Sequence, residues 1–134
     1  MTLARLSADP TFAVVEMGAS QKGDIAYLKS MAAPHVVVLL NALEAHVGRF
    51  GSLEAIVETK GEILDDLTAS DTAVINADQA HYSAWQLRAA PARIISFGES
   101  STADVQLMNL IDRGFDGSDI TVNAMGTELS LIHI

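Results

Sequence analysis

Cysteine is absent from the 134 residues. That excludes a disulfide framework and a thiolate metal site, and it fits a cytoplasmic protein. Positive charge is scarce: 8 Lys and Arg stand against 17 Asp and Glu, a net charge of −9, and the basic residues form no run. A general binder of nucleic acid or of a membrane surface needs a basic patch, so both classes are disfavoured. Long apolar runs are missing too. No segment reaches the roughly 18 apolar residues of a bilayer span, so no membrane insertion is expected. The first residues lack the charged-then-apolar pattern of a signal peptide. Internal repeats and low-complexity linkers are likewise lacking. What is present is an apolar fraction of 49%, enough for a real core, in a length that suits one domain or a piece of one.

The order of patterns predicts an α/β fold, a mostly parallel sheet with helices on both faces. Phe12 to Met17 is a short apolar run that reads as a buried strand. Asp24 to Ala33 reads as a helix between the Gly23 turn and Pro34. Val36 to Leu40 is a continuous apolar run, expected to be a strand buried on both faces. A helix is predicted from Ser52 to Leu67 with Ser52 as its N-cap. Ala73 to Ile75 reads as a strand, Gln79 to Ala89 as a helix stopped before Pro91, and Arg93 to Phe97 as a fourth strand. Beyond Gly98, Asp104 to Ile111, Ile120 to Asn123 and Glu128 to Leu131 read as short strands between Gly-rich turns. They predict a small antiparallel appendage.

Two features point to a site. Leu53, Ile56, Val57, Ile63, Leu64 and Leu67 follow the spacing of one buried helical stripe, and Lys60 falls inside it. A lysine there can lose its proton, pair with an anion or be chemically modified, because a bare buried ammonium is costly. A stem that snorkels over the apolar face is the bland alternative. Second, ligands of an open parallel sheet bind at the C-terminal ends of its strands. Glu16, Asn41, Asn76 with Asp78, and Gly98 stand at those ends. A carboxylate and an imidazole suit Mg²⁺ or Mn²⁺, though Glu16 and Asn41 could equally cap turns. His35, His81 and His133 have no partner motif, and Tyr82 and Trp85 read as packing residues.

The strings VVEMGAS (Val14 to Ser20), GDIAYLKSMAAP, LLNALEAHVGRFGSLEAIVETKGEI and VINAD resemble, in order and spacing, the central domain of the Mur ligase family. The likeness runs from about Thr2 to Glu128. Folylpolyglutamate synthase, of the same superfamily, matches the Lys-Gly-Glu-Ile and Asn-Ala-Asp strings less well. The resemblance implies a P-loop-NTPase-like central domain and ATP-dependent amide-bond formation in bacterial peptidoglycan synthesis. The matching branch joins D-alanyl-D-alanine to UDP-N-acetylmuramoyl-tripeptide through an acyl phosphate. By the same resemblance Glu16 and His46 would hold Mg²⁺, with His46 counted among the catalytic residues, and Lys60 would be the lysine carbamylated by CO₂; Asn41, from its place at a strand end, is expected to contact the bound cofactor, ATP.

The chain also departs from that pattern. It contains no Gly-x-x-x-x-Gly-Lys-[Ser/Thr] phosphate loop, which the family places before Glu16. Residues 1–128 are therefore expected to be a partial central domain from a longer enzyme, inactive alone. Leu129 to Ile134 reads LSLIHI, the string that one frame of a common transposon-based sequencing adapter encodes. These residues are expected to be a non-native tail, with an edge strand as the alternative. A non-catalytic nucleotide-binding-like interaction module is the competing function.

Overall fold

The computed structural model describes residues 11–44 and 47–133. In chain order the elements are α1 (Asp24–Ala32), β1 (Val36–Leu39), α2 (Val47–Phe50), α3 (Leu53–Gly61), β2 (Thr72–Asn76), α4 (Tyr82–Arg88), β3 (Arg93–Gly98), β4 (Val105–Asp112), β5 (Ser118–Ala124) and β6 (Thr127–His133). A 3₁₀ turn at Glu62–Leu64 continues α3, and another at Gly114–Asp116 links β4 to β5. One six-stranded sheet has the order β1-β2-β3-β4-β5-β6. Strands β1 to β4 run parallel, and β4 to β6 pair antiparallel.

The core sits on one face of the parallel half. Val37 and Leu39 of β1 lie in register with Ala73 and Ile75 of β2, and all four are buried. Ile56 and Val57 of α3, Leu64, and Trp85 and Ala89 of α4 close over them in one cluster. The helical stripe is thus real, and its N-cap is as predicted: Ser52 Oγ accepts from the Ala55 N–H at 3.1 Å.

Several expectations change. Phe12 to Met17 belongs to no strand, and Val14 is 95% exposed. A segment becomes a strand only when another edge pairs with it, and no described residue does so here. The run Val36 to Leu40 is not buried on both faces. Val36 and Val38 are 56% and 49% exposed while Val37 and Leu39 are buried. Among the described residues, the buried cluster formed with α3 and α4 packs over the face that carries Val37 and Leu39. The three C-terminal strands form the expected antiparallel end, joined to the parallel part where β4 pairs with β3 through Phe97–Val105 and Gly98–Gln106. The helix predicted from Gln79 starts at Tyr82. Asn76 Oδ1 accepts from the Asp78 N–H at 2.9 Å, and Gln79 Oε1 accepts from the Ala42 N–H at 3.1 Å. Both bonds draw residues 77–81 into a turn that competes with helix. The tail residues Leu129 to His133 lie in β6, paired along β5.

Candidate functional site

The C-terminal ends of β1 and β2 meet through two asparagines. Asn76 Nδ2 donates to Asn41 Oδ1 at 2.8 Å. Both side chains lie where the parallel register of β1 and β2 brings the strand ends level. Lys60, near the end of α3, reaches the same place. Its Nζ donates to the main-chain carbonyl oxygen of Asn41 at 2.6 Å. The lysine is half-buried, between the apolar stripe and the strand ends. Helical spacing carries it there: Ile56 and Val57, four and three residues earlier, are buried against the sheet, so the next turn on that face passes over the end of β1.

Asp78 and Gly98 form the neighbouring strand-end element. The Asp78 carboxylate accepts from the main-chain N–H groups of Glu99 at 2.8 Å and Ser100 at 3.2 Å. Gly98 makes this possible. Its φ is +152°, and a Cβ there would lie 2.5 Å from Asp78 Oδ2. An open cleft of about 310 Å³ follows, lined by Asn76, Asp78, Phe97, Glu99, Val105 and Val122. Both Asp78 oxygens are engaged by backbone, so this carboxylate holds a turn.

Glu16 is exposed in the segment that precedes Ser20, outside the strands of the sheet. His46 lies outside the described residues. The structure thus brings Lys60, Asn41 and Asn76 together and does not bring Glu16 to them through the sheet. Among the described residues no group of three His, Cys, Asp or Glu could hold a metal ion.

Sequence reasoning missed Glu62, which is 5% exposed. Its Oε1 accepts from the Gly23 N–H at 2.7 Å and its Oε2 from the Ala26 N–H at 3.2 Å, so it caps the start of α1. Its apolar neighbours Gly61, Ile63 and Leu64 were the available signal, but a partner 39 residues upstream left none. The loop before α1 is also held locally. The Asp24 carboxylate accepts from the N–H groups of Ser20 and Gln21 at 2.8 and 3.0 Å, and these bonds lower its pKa from the ordinary 3.8.

Comparison with known proteins places this arrangement. The chain is 32% identical over 131 residues to the UDP-N-acetylmuramoyl-tripeptide–D-alanyl-D-alanine ligase of Escherichia coli (strain K12), covering 98% of the chain and 27% of that protein. It is 40% identical over 86 residues to the ligase of the same name from Haemophilus influenzae, covering 64% of the chain and 19% of that protein. The chain thus spans well under a third of the length of these curated relatives. Among solved structures, MurF from Acinetobacter baumannii superposes with a TM-score of 0.85 at 25% identity, covering 97% of this chain and 28% of that one. MurF ligase from Thermotoga maritima in complex with ADP superposes with a TM-score of 0.70 at 29% identity, covering 87% and 26%. The family profile of the Mur ligase middle domain matches residues 1–134, and the chain belongs to that family.

Proposed function

We propose that this chain is the central-domain part of an ATP-dependent ligase that joins D-alanyl-D-alanine to UDP-N-acetylmuramoyl-tripeptide in the bacterial cytoplasm. The observation that carries the reading is Lys60 Nζ on the Asn41 carbonyl oxygen, at the strand ends where an open parallel sheet binds ligands. The relatives' names and the ADP bound to one structural neighbour support it. In this reading ATP phosphorylates the terminal carboxylate of the tripeptide, giving an acyl phosphate. The dipeptide amine attacks that carbonyl carbon, and the tetrahedral intermediate collapses with release of phosphate. Neither nucleic acid nor a membrane is a partner.

Lys60 supplies an amine that adds CO₂. The ammonium first gives up one proton; the free amine then forms a C–N bond to CO₂ and loses a second proton, so the cation becomes a carbamate anion. Its present bond to Asn41 holds the nitrogen at the strand ends. Glu16 and His46 are the residues we assign to Mg²⁺, a cation that takes oxygen ligands from one or two carboxylates and from substrate phosphates. Asn41 is assigned to the nucleotide side of the site. Residues 1–128 are assigned to the central domain and 129–134 to an appended tail.

In the full-length parent, Lys60→Ala is expected to cut ligation by about a hundredfold or more, because misplacing a charged group in such a site costs that much. Added bicarbonate is expected not to restore it. Near-normal ligation would return Lys60 to a snorkelling role. The isolated chain, which has no Gly-Lys-[Ser/Thr] loop and carries a net charge of −9, is expected neither to bind ATP tightly nor to turn it over. Calorimetry with ATP and Mg²⁺ checks this, and tight binding would show the nucleotide machinery to lie elsewhere in the fold.

A further inference from the structure

Glu62 is a buried carboxylate that the proposed chemistry does not use. It lies two residues beyond Lys60, yet both of its oxygens are turned to another element. The start of α1 needs such an acceptor. Its N-cap is Gly23, at φ +93°, which has no side chain to cap the first turn. Glu62 takes that place from across the fold, and a carboxylate is also the favoured charge at a helix N-terminus. The other end of α1 is tied to the same region, since Lys29 Nζ donates to the Asp65 carbonyl oxygen. Residues 62–65 thus grip α1 at both ends.

We infer that Glu62 is a positioning residue: through its bonds to Gly23 and Ala26 it fixes the Ser20–Ala26 piece, which follows Glu16 by four residues, against the Lys60 segment. The connection is short at both ends. Asp24 binds Ser20 and Gln21, so the chain from Ser20 to Ala26 is one hydrogen-bonded piece. On the other side, only Gly61 separates Glu62 from Lys60. The inference rests on the proposed roles of Glu16 and Lys60, because only those roles give the fixed separation a purpose.

The test uses the 134-residue chain itself. Its lack of cysteine permits a single nitroxide label at Glu58→Cys, an exposed site two residues before Lys60. With Glu62 intact, the label is expected to broaden the amide signals of Ser20 to Gly23. In Glu62→Gln the amide NH₂ cannot accept the second N–H, and in Glu62→Asp the carboxylate falls one methylene short. In both variants the broadening is expected to weaken. Exchange of the Gly23 and Ala26 amides is expected to speed by about tenfold or more. The amides of Val74 and Ile95, in the sheet, should keep their protection. Unchanged broadening and exchange in both variants would overturn the inference, and so would loss of protection throughout the sheet, which would make Glu62 a general stability residue. The ligation test of Lys60→Ala judges the functional reading separately, since nothing in the label experiment depends on turnover.

Discussion

Lys60 Nζ and the carbonyl oxygen of Asn41 lie 2.6 Å apart, and this bond joins the end of α3 to the end of β1. Lys60→Met keeps the apolar stem and removes only the donor. The isolated chain is expected to lose about 1 kcal/mol in urea denaturation, the net worth of one such bond at a half-buried site. A loss of several kcal/mol would identify Lys60 as a determinant of the core, not a group free for chemistry.

Gly61, the glycine of the Lys-Gly-Glu motif, has a steric reason to be one. A Cβ there would run into Arg88 Nη1 and stand 3.4 Å from Trp85 Nε1. Arg88 cannot swing away freely. Its Nε and Nη2 donate to the two Asp65 oxygens at 2.5 and 2.8 Å, and its Nη1 donates to the Glu58 carbonyl oxygen at 3.1 Å. Gly61→Ala is expected to destabilise by about 1–2 kcal/mol. In an Arg88→Ala background the same change is expected to be neutral or stabilising, since alanine favours helix over glycine by about 1 kcal/mol. A double-mutant cycle measures the coupling, and additive effects would rule out the clash.

Much of this was legible in the sequence. Short apolar runs and one stripe of period 3.6 located most of the paired strands and helices, because both kinds of element bury apolar residues against one core. Lys60 stood out because a charge on an apolar stripe needs a reason. The Asn41–Asn76 pair followed from strand ends alone. What was not legible depended on distant partners. Phe12 to Met17 has a strand's composition but no described neighbour to pair with. Glu62 reads as an ordinary helical carboxylate until the cap of α1 arrives from 39 residues away. The outward exposure of Val36 and Val38 depends on which elements cover the sheet, and a run of valines says nothing of that.

Asp104 supplies a pH dependence. Its Oδ2 accepts from the Ser96 main-chain N–H at 2.8 Å and from Ser96 Oγ at 2.7 Å. These bonds hold its pKa below the ordinary value of 3.8. A carboxyl whose folded pKa is depressed adds stability that is fully present above its unfolded pKa. That stability is lost as the pH falls through the folded value. Asp104→Asn is therefore expected to be less stable than the parent chain at pH 7, with the gap narrowing as the pH drops below about 4. Denaturation curves at both ends of that window check the sign, and a gap that widens in acid would contradict it.

The uncovered face of β1 predicts association. Among the described residues β1 is an edge strand, and with its outward valines it offers both apolar surface and open backbone. Val38→Lys is expected to change stability by no more than about 0.5 kcal/mol and to shift the chain toward monomer in sedimentation. Val37→Lys, one residue away on the buried side, is expected to unfold the chain. Similar behaviour of the two variants would mean that the faces of β1 have been assigned wrongly.

The seam between β3 and β4 rests on two adjacent register pairs, Phe97–Val105 and Gly98–Gln106, whereas β4, β5 and β6 pair along nearly their whole lengths. The sheet is continuous in hydrogen bonding but not in cooperativity. On one side of the seam, strands meet only after long crossovers through α3 and α4. On the other, consecutive hairpins close over short loops at low entropic cost. The seam is therefore the line along which the domain divides into two stability units, and the C-terminal meander can open while the helix-covered half keeps its core.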